Sequence, residues 1–169
     1  MIDRVSGIVV AVEPAAAVID LGGIAFRVEV SPFCAEALEV GTKTTLLTQF
    51  MLIGQDTQPK LFGFRSAEAR QLFLLLRRVS GIGPSTALRI LSAQPTPAEV
   101  AAAIAREDAA GIKVKGVGPK TAKRVIAELK DKVELRQRWH RLNDELCFFE
   151  TNWKPKSWRS RYRFLFIHK

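Results

Sequence analysis

Two hydrophobic rhythms divide this chain, and the change from one to the other falls near residue 65. Before it, apolar residues alternate with a period of two, the signature of strands. Val5, Gly7 and Val9 interleave with Ser6, Ile8 and Val10, a run apolar enough to predict a strand buried on both faces. Val18, Ile19, Asp20 and Leu21 lead to Gly22-Gly23, a strong hairpin signal. Ile24, Phe26, Val28 and Val30 then alternate with Ala25, Arg27, Glu29 and Ser31, which predicts one buried and one wet face, ending at Pro32. A short helical stretch from Ala35 to Leu38 precedes Gly41, and Thr44 to Leu52 reads as a further strand. Gly54 to Pro59 is a polar turn, and Lys60 to Phe64 returns as the last strand. Five short strands with one helical insert predict a small closed barrel of the OB-fold type, with a split sandwich as the alternative.

From Ser66 onward the period becomes 3.6. Leu72, Leu75, Leu76 and Val79 form an apolar stripe, with Arg70, Arg77 and Arg78 off it. Helical pieces follow, broken at Gly81–Pro84, at Gln94–Pro97 and at Gly116–Pro119. Thr96 or Pro97 begins an Ala-rich helix reaching about Arg106, with Glu99 placed to complete a capping box. The expected fold class is therefore α+β and multidomain. An OB-fold barrel over residues 1–64 precedes an all-α tandem hairpin domain over 65–135, and residues 136–169 form a tail of different composition.

The helical half contains an internal repeat. Ser80-Gly-Ile-Gly-Pro-Ser-Thr-Ala-Leu-Arg-Ile-Leu91 aligns with Lys115-Gly-Val-Gly-Pro-Lys-Thr-Ala-Lys-Arg-Val-Ile126 at an offset of 35 positions. Glycines at 81, 83, 116 and 118 permit positive φ and leave no Cβ to hinder an approaching group. Pro84 and Pro119 suit a first helical turn, where the missing N–H costs nothing. The remaining free amides then form an anion site at the positive end of the helix dipole. Ile82 and Val117 would anchor each hairpin in the core. The candidate phosphate-binding residues are Gly81, Gly83, Ser85 and Thr86 in the first copy, and Gly116, Gly118, Lys120, Thr121, Lys123 and Arg124 in the second. Lys113 and Lys115 precede the second copy. Contacts of this kind position a protein on a nucleic-acid backbone and read no sequence.

Charge points the same way. The chain of 169 residues carries 26 basic against 17 acidic side chains, a net +9, which favours a polyanionic partner. Cys34 and Cys147 lie far apart without CxxC spacing, and with only His140 and His168 beside them a zinc site is not indicated. Free thiols, no secretory signal and no membrane-length apolar run read as a cytoplasmic protein. Gly111 and Gly116 have P-loop spacing, but Val117-Gly118 stands where Lys-Ser/Thr would be required. Neither hairpin has the third glycine of a dinucleotide fingerprint, and the carboxylates show no metal-cluster spacing. The reading is a DNA-binding protein with no cofactor and no catalytic residues of its own.

Taken together, Met1-Ile2, Gly22-Gly23, Leu61-Phe62-Gly63-Phe64 and two hairpins ending in Ala127-Glu128-Leu129-Lys130-Asp131 closely resemble the RuvA family over residues 1 to about 135. The resemblance implies a homotetramer, or an octamer of two such tetramers, that holds a four-way (Holliday) junction open in recombination and repair. It implies the ATPase RuvB as motor and the resolvase RuvC as a further partner; a general duplex-binding repair module is the alternative function. By position it assigns the family's acidic pin to Gln55-Asp56, where one of the usual two acids is absent. Ser85 likewise stands where a lysine is common. The tail, 136–169, contributes +6 of the net charge and all three tryptophans, in place of the expected linker and motor-docking domain. An extra DNA-binding arm and a shifted reading frame are its two readings, the second preferred. The resulting expectation is junction binding without stimulation of the motor.

Overall fold

The alternating half closes into a five-stranded barrel in the order β1-β2-β3-β5-β4. The computed structural model describes residues 2–54 and 58–133. Its strands are β1 (Arg4–Glu13), β2 (Ala16–Asp20), β3 (Ala25–Glu29), β4 (Lys43–Ile53) and β5 (Gln58–Phe64). All neighbours pair antiparallel except β3 and β5, whose parallel contact at Glu29 and Phe62 completes the ring. This is the OB-type arrangement. The first half of β1 pairs with β4 and the second with β2, and a register shift between Val9 and Ala11 accompanies the β1–β2 pairing.

The prediction that β1 is buried on both faces is wrong. Val5, Gly7 and Val9 point inward, whereas Ile8 and Val10 are 42% and 45% exposed. A barrel strand has only one interior face, so an apolar run cannot bury both sides within it. The alternation in β3 is also incomplete, because Val28 and Val30 are fully buried while Ile24 lies exposed in the turn before the strand. In that turn Gly22 and Gly23 adopt φ of +89° and +117°, and the Asp20 carboxylate accepts both of their amides.

The inserted helix, α1 (Pro32–Glu36), starts three residues earlier than the pattern suggested. Strand β3 has already ended at Glu29, and Pro32 occupies the first helical turn, while the Ser31 hydroxyl accepts the Cys34 amide as an N-cap. The helix and the residue after its cap supply Cys34, Ala35 and Leu38 to the barrel core. Burial pushes the Cys34 thiol up to about 11, against a smaller opposing pull from Arg65, so it is a packing residue and not a nucleophile.

Four helices follow: α2 (Ala67–Leu76), α3 (Pro84–Leu91), α4 (Pro97–Ala105) and α5 (residues 119–133). Ser66 caps α2 through the Ala69 amide, and Thr96 and Glu99 form the anticipated capping box on α4. The expected stripe Leu72, Leu75, Leu76 and Val79 is buried, joined by Phe73, which the sequence stripe omitted. Phe73 packs against Phe62 and Phe64 of β5, with ring centroids 5.2 and 4.9 Å apart. The last strand thus lends two aromatic rings to the helical core, and barrel and helices belong to one compact unit. Arg70 of α2 reaches Asp3 beside the barrel at 2.6 Å, a second tie across the same seam. The connection holding Gln55 and Asp56, Cys147 and the tail 136–169 lie outside the described residues.

Candidate nucleic-acid interface

The two halves of the sequence repeat are also two copies of one backbone structure. In the first, the Ile82 amide donates to the Val79 carbonyl at 3.1 Å and the Ala87 amide to Gly83 at 2.9 Å. In the second, Val117 donates to Val114 at 3.0 Å and Ala122 to Gly118 at 2.9 Å. Every donor and acceptor in the second set lies 35 positions beyond its counterpart in the first. Ile82 and Val117 are buried, as anticipated, and pin each turn to the helical core.

The segments leading into the turns differ. Hairpin one is entered from the ten-residue helix α2. Hairpin two is entered from a single hydrogen-bonded turn, in which Asp108 accepts the amides of Ala110 and Gly111 and the Lys113 amide donates to Ala110. Glu107 reverses the chain there with φ +59°, and its carboxylate pairs with Lys130 of α5.

The glycines divide into two kinds, which corrects the reading that all four serve alike. Gly81 and Gly116 have φ of +83° and +87° and shape the turn. Gly83 is extended (φ −78°, ψ 168°), and Gly118 likewise lies outside the positive-φ region. A Cβ built on either of these would meet nothing within 4 Å. Any L-residue could take up that backbone conformation; what glycine keeps there is open space in front of the helix.

That space adjoins unbonded amides. Gly83 is the N-cap of α3 and supplies no side-chain cap, while Pro84 occupies the first helical turn. Among the described residues, the amides of Gly83, Ser85 and Thr86 find no carbonyl, and neither do those of Gly118, Lys120 and Thr121. Two helix starts, of α3 and α5, therefore each present three donors together with the positive end of the helix dipole. Ser85, Lys120 and Lys123 are exposed and Thr86 and Thr121 half-buried, so both sites open to solvent. Thr86 differs from its expected role in one respect, since its hydroxyl accepts a weak bond from Arg89 at 3.4 Å. Its own proton stays available to a ligand. Arg124, a candidate phosphate ligand, is exposed and also donates to the Ser80 carbonyl at 3.0 Å through Nη1. Arg89, which matches Arg124 in the repeat, is not among the candidate residues read from the sequence, and it lies beside Gly116.

Comparison with known proteins agrees with this geometry. The RuvA N terminal domain matches residues 1–63, and the SAM-like helix-hairpin-helix tandem matches residues 73–131. A Holliday junction branch migration complex subunit RuvA from Desulforudis audaxviator is 41% identical over 143 residues, covering 81% of this chain and 67% of the relative. The protein of the same name from Methylibium petroleiphilum is 42% identical over 137 residues, covering 79% and 69%. The chain belongs to the RuvA family. A Bacteroides fragilis RuvA, 43% identical over 135 residues, matches 79% of this chain and 66% of its own length, so this RuvA-family chain spans about two thirds of such relatives. Among the described residues no helix is long and apolar enough to cross a membrane.

Proposed function

We propose that this chain binds four-way junction DNA by its phosphate backbone and holds it for branch migration driven by a separate ATPase. The observation that carries the reading is the doubled hairpin, in which two sets of unbonded amides share one backbone geometry and each faces an open glycine. Such a pair grips a duplex arm at two phosphates without reading bases. The names of the relatives attach this apparatus to a branch migration complex. The residues in contact with phosphate would be Gly83, Ser85 and Thr86 together with Gly118, Lys120, Thr121 and Lys123. RuvC as resolvase and a homotetramer around the junction belong to the same proposal; RuvB is the motor that the family implies, and the tail 136–169, in place of the usual docking domain, is expected not to engage it. The cytoplasm is its expected setting.

A gel-shift titration of the purified chain against a four-way junction and a linear duplex of equal length tests the reading. Clear preference for the junction supports it, whereas equal affinity would reduce the chain to a general duplex-binding module. Adding RuvB to the same mixtures reads the motor partnership, as branch migration above the rate with RuvB alone.

A further inference from the structure

The matched arginines of the repeat each reach across to the other hairpin. Arg124 lies in α5, which belongs to hairpin two, yet its Nη1 donates to the carbonyl of Ser80 in hairpin one at 3.0 Å. The same nitrogen stands 3.7 Å from where a Cβ on Gly81 would be. Arg89 lies in α3, which belongs to hairpin one, and its guanidinium rests against Gly116 in hairpin two. A Cβ there would stand 3.2 Å from its Nη2 and 3.4 Å from its Nη1. Arg89 and Arg124 occupy equivalent positions, 35 residues apart, as do Gly81 and Gly116. The contacts are thus exchanged across the pseudo-symmetry of the domain, each repeat bracing the turn of the other.

We propose that Arg89 and Arg124 are reciprocal positioning residues, which fix the separation of the two hairpins so that both phosphate grips engage one DNA arm as a unit. The side-chain chemistry fits that role. A guanidinium is planar, permanently charged and able to donate in several directions, so it can hold a turn while adding positive potential beside it. The first glycine of each motif acquires a second purpose, because a residue without Cβ leaves a surface on which the partner's guanidinium can lie. Arg89 is committed inward: it is half-buried, its Nη2 donates to Thr86 Oγ1 at 3.4 Å, and its Nε is buried without a partner. The brace is hydrogen-bonded in one direction and a packing contact in the other, so Arg124 should hold the more rigid turn.

The role as a brace stands on the free protein; its consequence for DNA rests on the function proposed above. Amide hydrogen exchange of the full chain without DNA tests the first. Arg89→Ala should raise exchange about tenfold around Val117, in the other repeat, and leave Ile82 in its own repeat unchanged. Arg124→Ala should do the reverse. Arg89→Lys should fail to restore protection, since it keeps the charge and loses the planar fork. Exchange that rises only in the mutated repeat, or in neither, or throughout the barrel strands as well, would overturn the brace. Junction titrations then test the consequence. The loss of affinity from Arg89→Ala should vanish in a Gly118→Val background, where hairpin two is already blocked, and persist in a Gly83→Val background. Equal loss in both backgrounds overturns the coupling. Normal exchange effects in a protein that shows no junction preference would leave the brace standing and remove the proposed function.

Discussion

Two pairs of glycines, one pair in each half of this molecule, do opposite work. In the barrel, a Cβ on Gly7 would stand 2.1 Å from the Asp20 carbonyl oxygen, and one on Gly63 would stand 2.5 Å from Val28 Cγ1. In the helical half, a Cβ on Gly83 or Gly118 would touch nothing within 4 Å. Gly7 and Gly63 are required by the protein's own atoms, as a closed sheet brings strands together where no side chain fits. Gly83 and Gly118 are crowded by nothing in the folded chain. Space held open against no internal neighbour, beside three unbonded amides, is what the proposed phosphate contact requires. A glycine's environment therefore separates one that internal packing requires from one that it does not.

The largest effect that should follow is at Gly7. Its nearest neighbour is backbone, which cannot rotate away, so Gly7→Ala must spread β1 from β2 at a cost of about 3 kcal/mol, the upper range for overpacking. Chemical denaturation measures this directly, and a wild-type midpoint would erase the contrast between the halves. Next come Gly83→Val and Gly118→Val. Both should keep wild-type stability to within about 1 kcal/mol, because the backbone there is not left-handed. Junction affinity should nevertheless fall roughly 10- to 100-fold, the loss expected when a charge-assisted bond to phosphate worth about 1.5–3 kcal/mol is blocked. Unfolding in place of lost binding would show that these glycines are structural after all.

The turn glycines fall between the two kinds. Gly81→Ala and Gly116→Ala place an L-residue at positive φ, which costs on the order of 1–2 kcal/mol of stability. The cost should be greater at Gly116, where the methyl would also press on Arg89 at 3.2 Å, than at Gly81, where Arg124 stands 3.7 Å away. Comparative thermal melts of the two variants decide the order, and the reverse order would argue against the contact between Arg89 and Gly116.

Much of this was legible in the sequence, and the parts that were not share a cause. Strand period, the Gly22-Gly23 hairpin, the Thr96–Glu99 capping box and the 35-residue repeat are local signals set by neighbours along the chain. What escaped depends on neighbours across it. That β1 leaves Ile8 and Val10 exposed follows from barrel closure, which leaves each strand only one inner face. That Phe73 belongs to the core follows from Phe62 and Phe64 arriving from β5. The motif Gly-x-Gly does not reveal which glycine carries the positive φ, since both lack a Cβ and only the folded turn distinguishes them. The bond from Arg124 to the Ser80 carbonyl was not legible either, because it crosses from one repeat to the other. The connection holding Gln55 and Asp56, read by resemblance as an acidic pin, lies outside the described residues.

The smallest effect concerns charge at two sites of equal geometry. Hairpin one has Ser85 where hairpin two has Lys120, and both positions are exposed at the first turn of a helix with the same free amides. If the backbone makes each grip and the side chain only tunes it, Ser85→Lys should add one phosphate neutralisation and Lys120→Ser should remove one. The slope of log affinity against log salt would then steepen or flatten by about 0.9. At moderate salt the change in binding free energy should stay within about 1 kcal/mol, because exposed charges are well screened. Exchanging the two residues in one chain should leave the slope near wild type, since the charge count is restored and the amides are unchanged. A doubly exchanged protein that loses binding altogether would mean that Lys120 holds its phosphate through more than charge, and that the two hairpins are not equivalent grips.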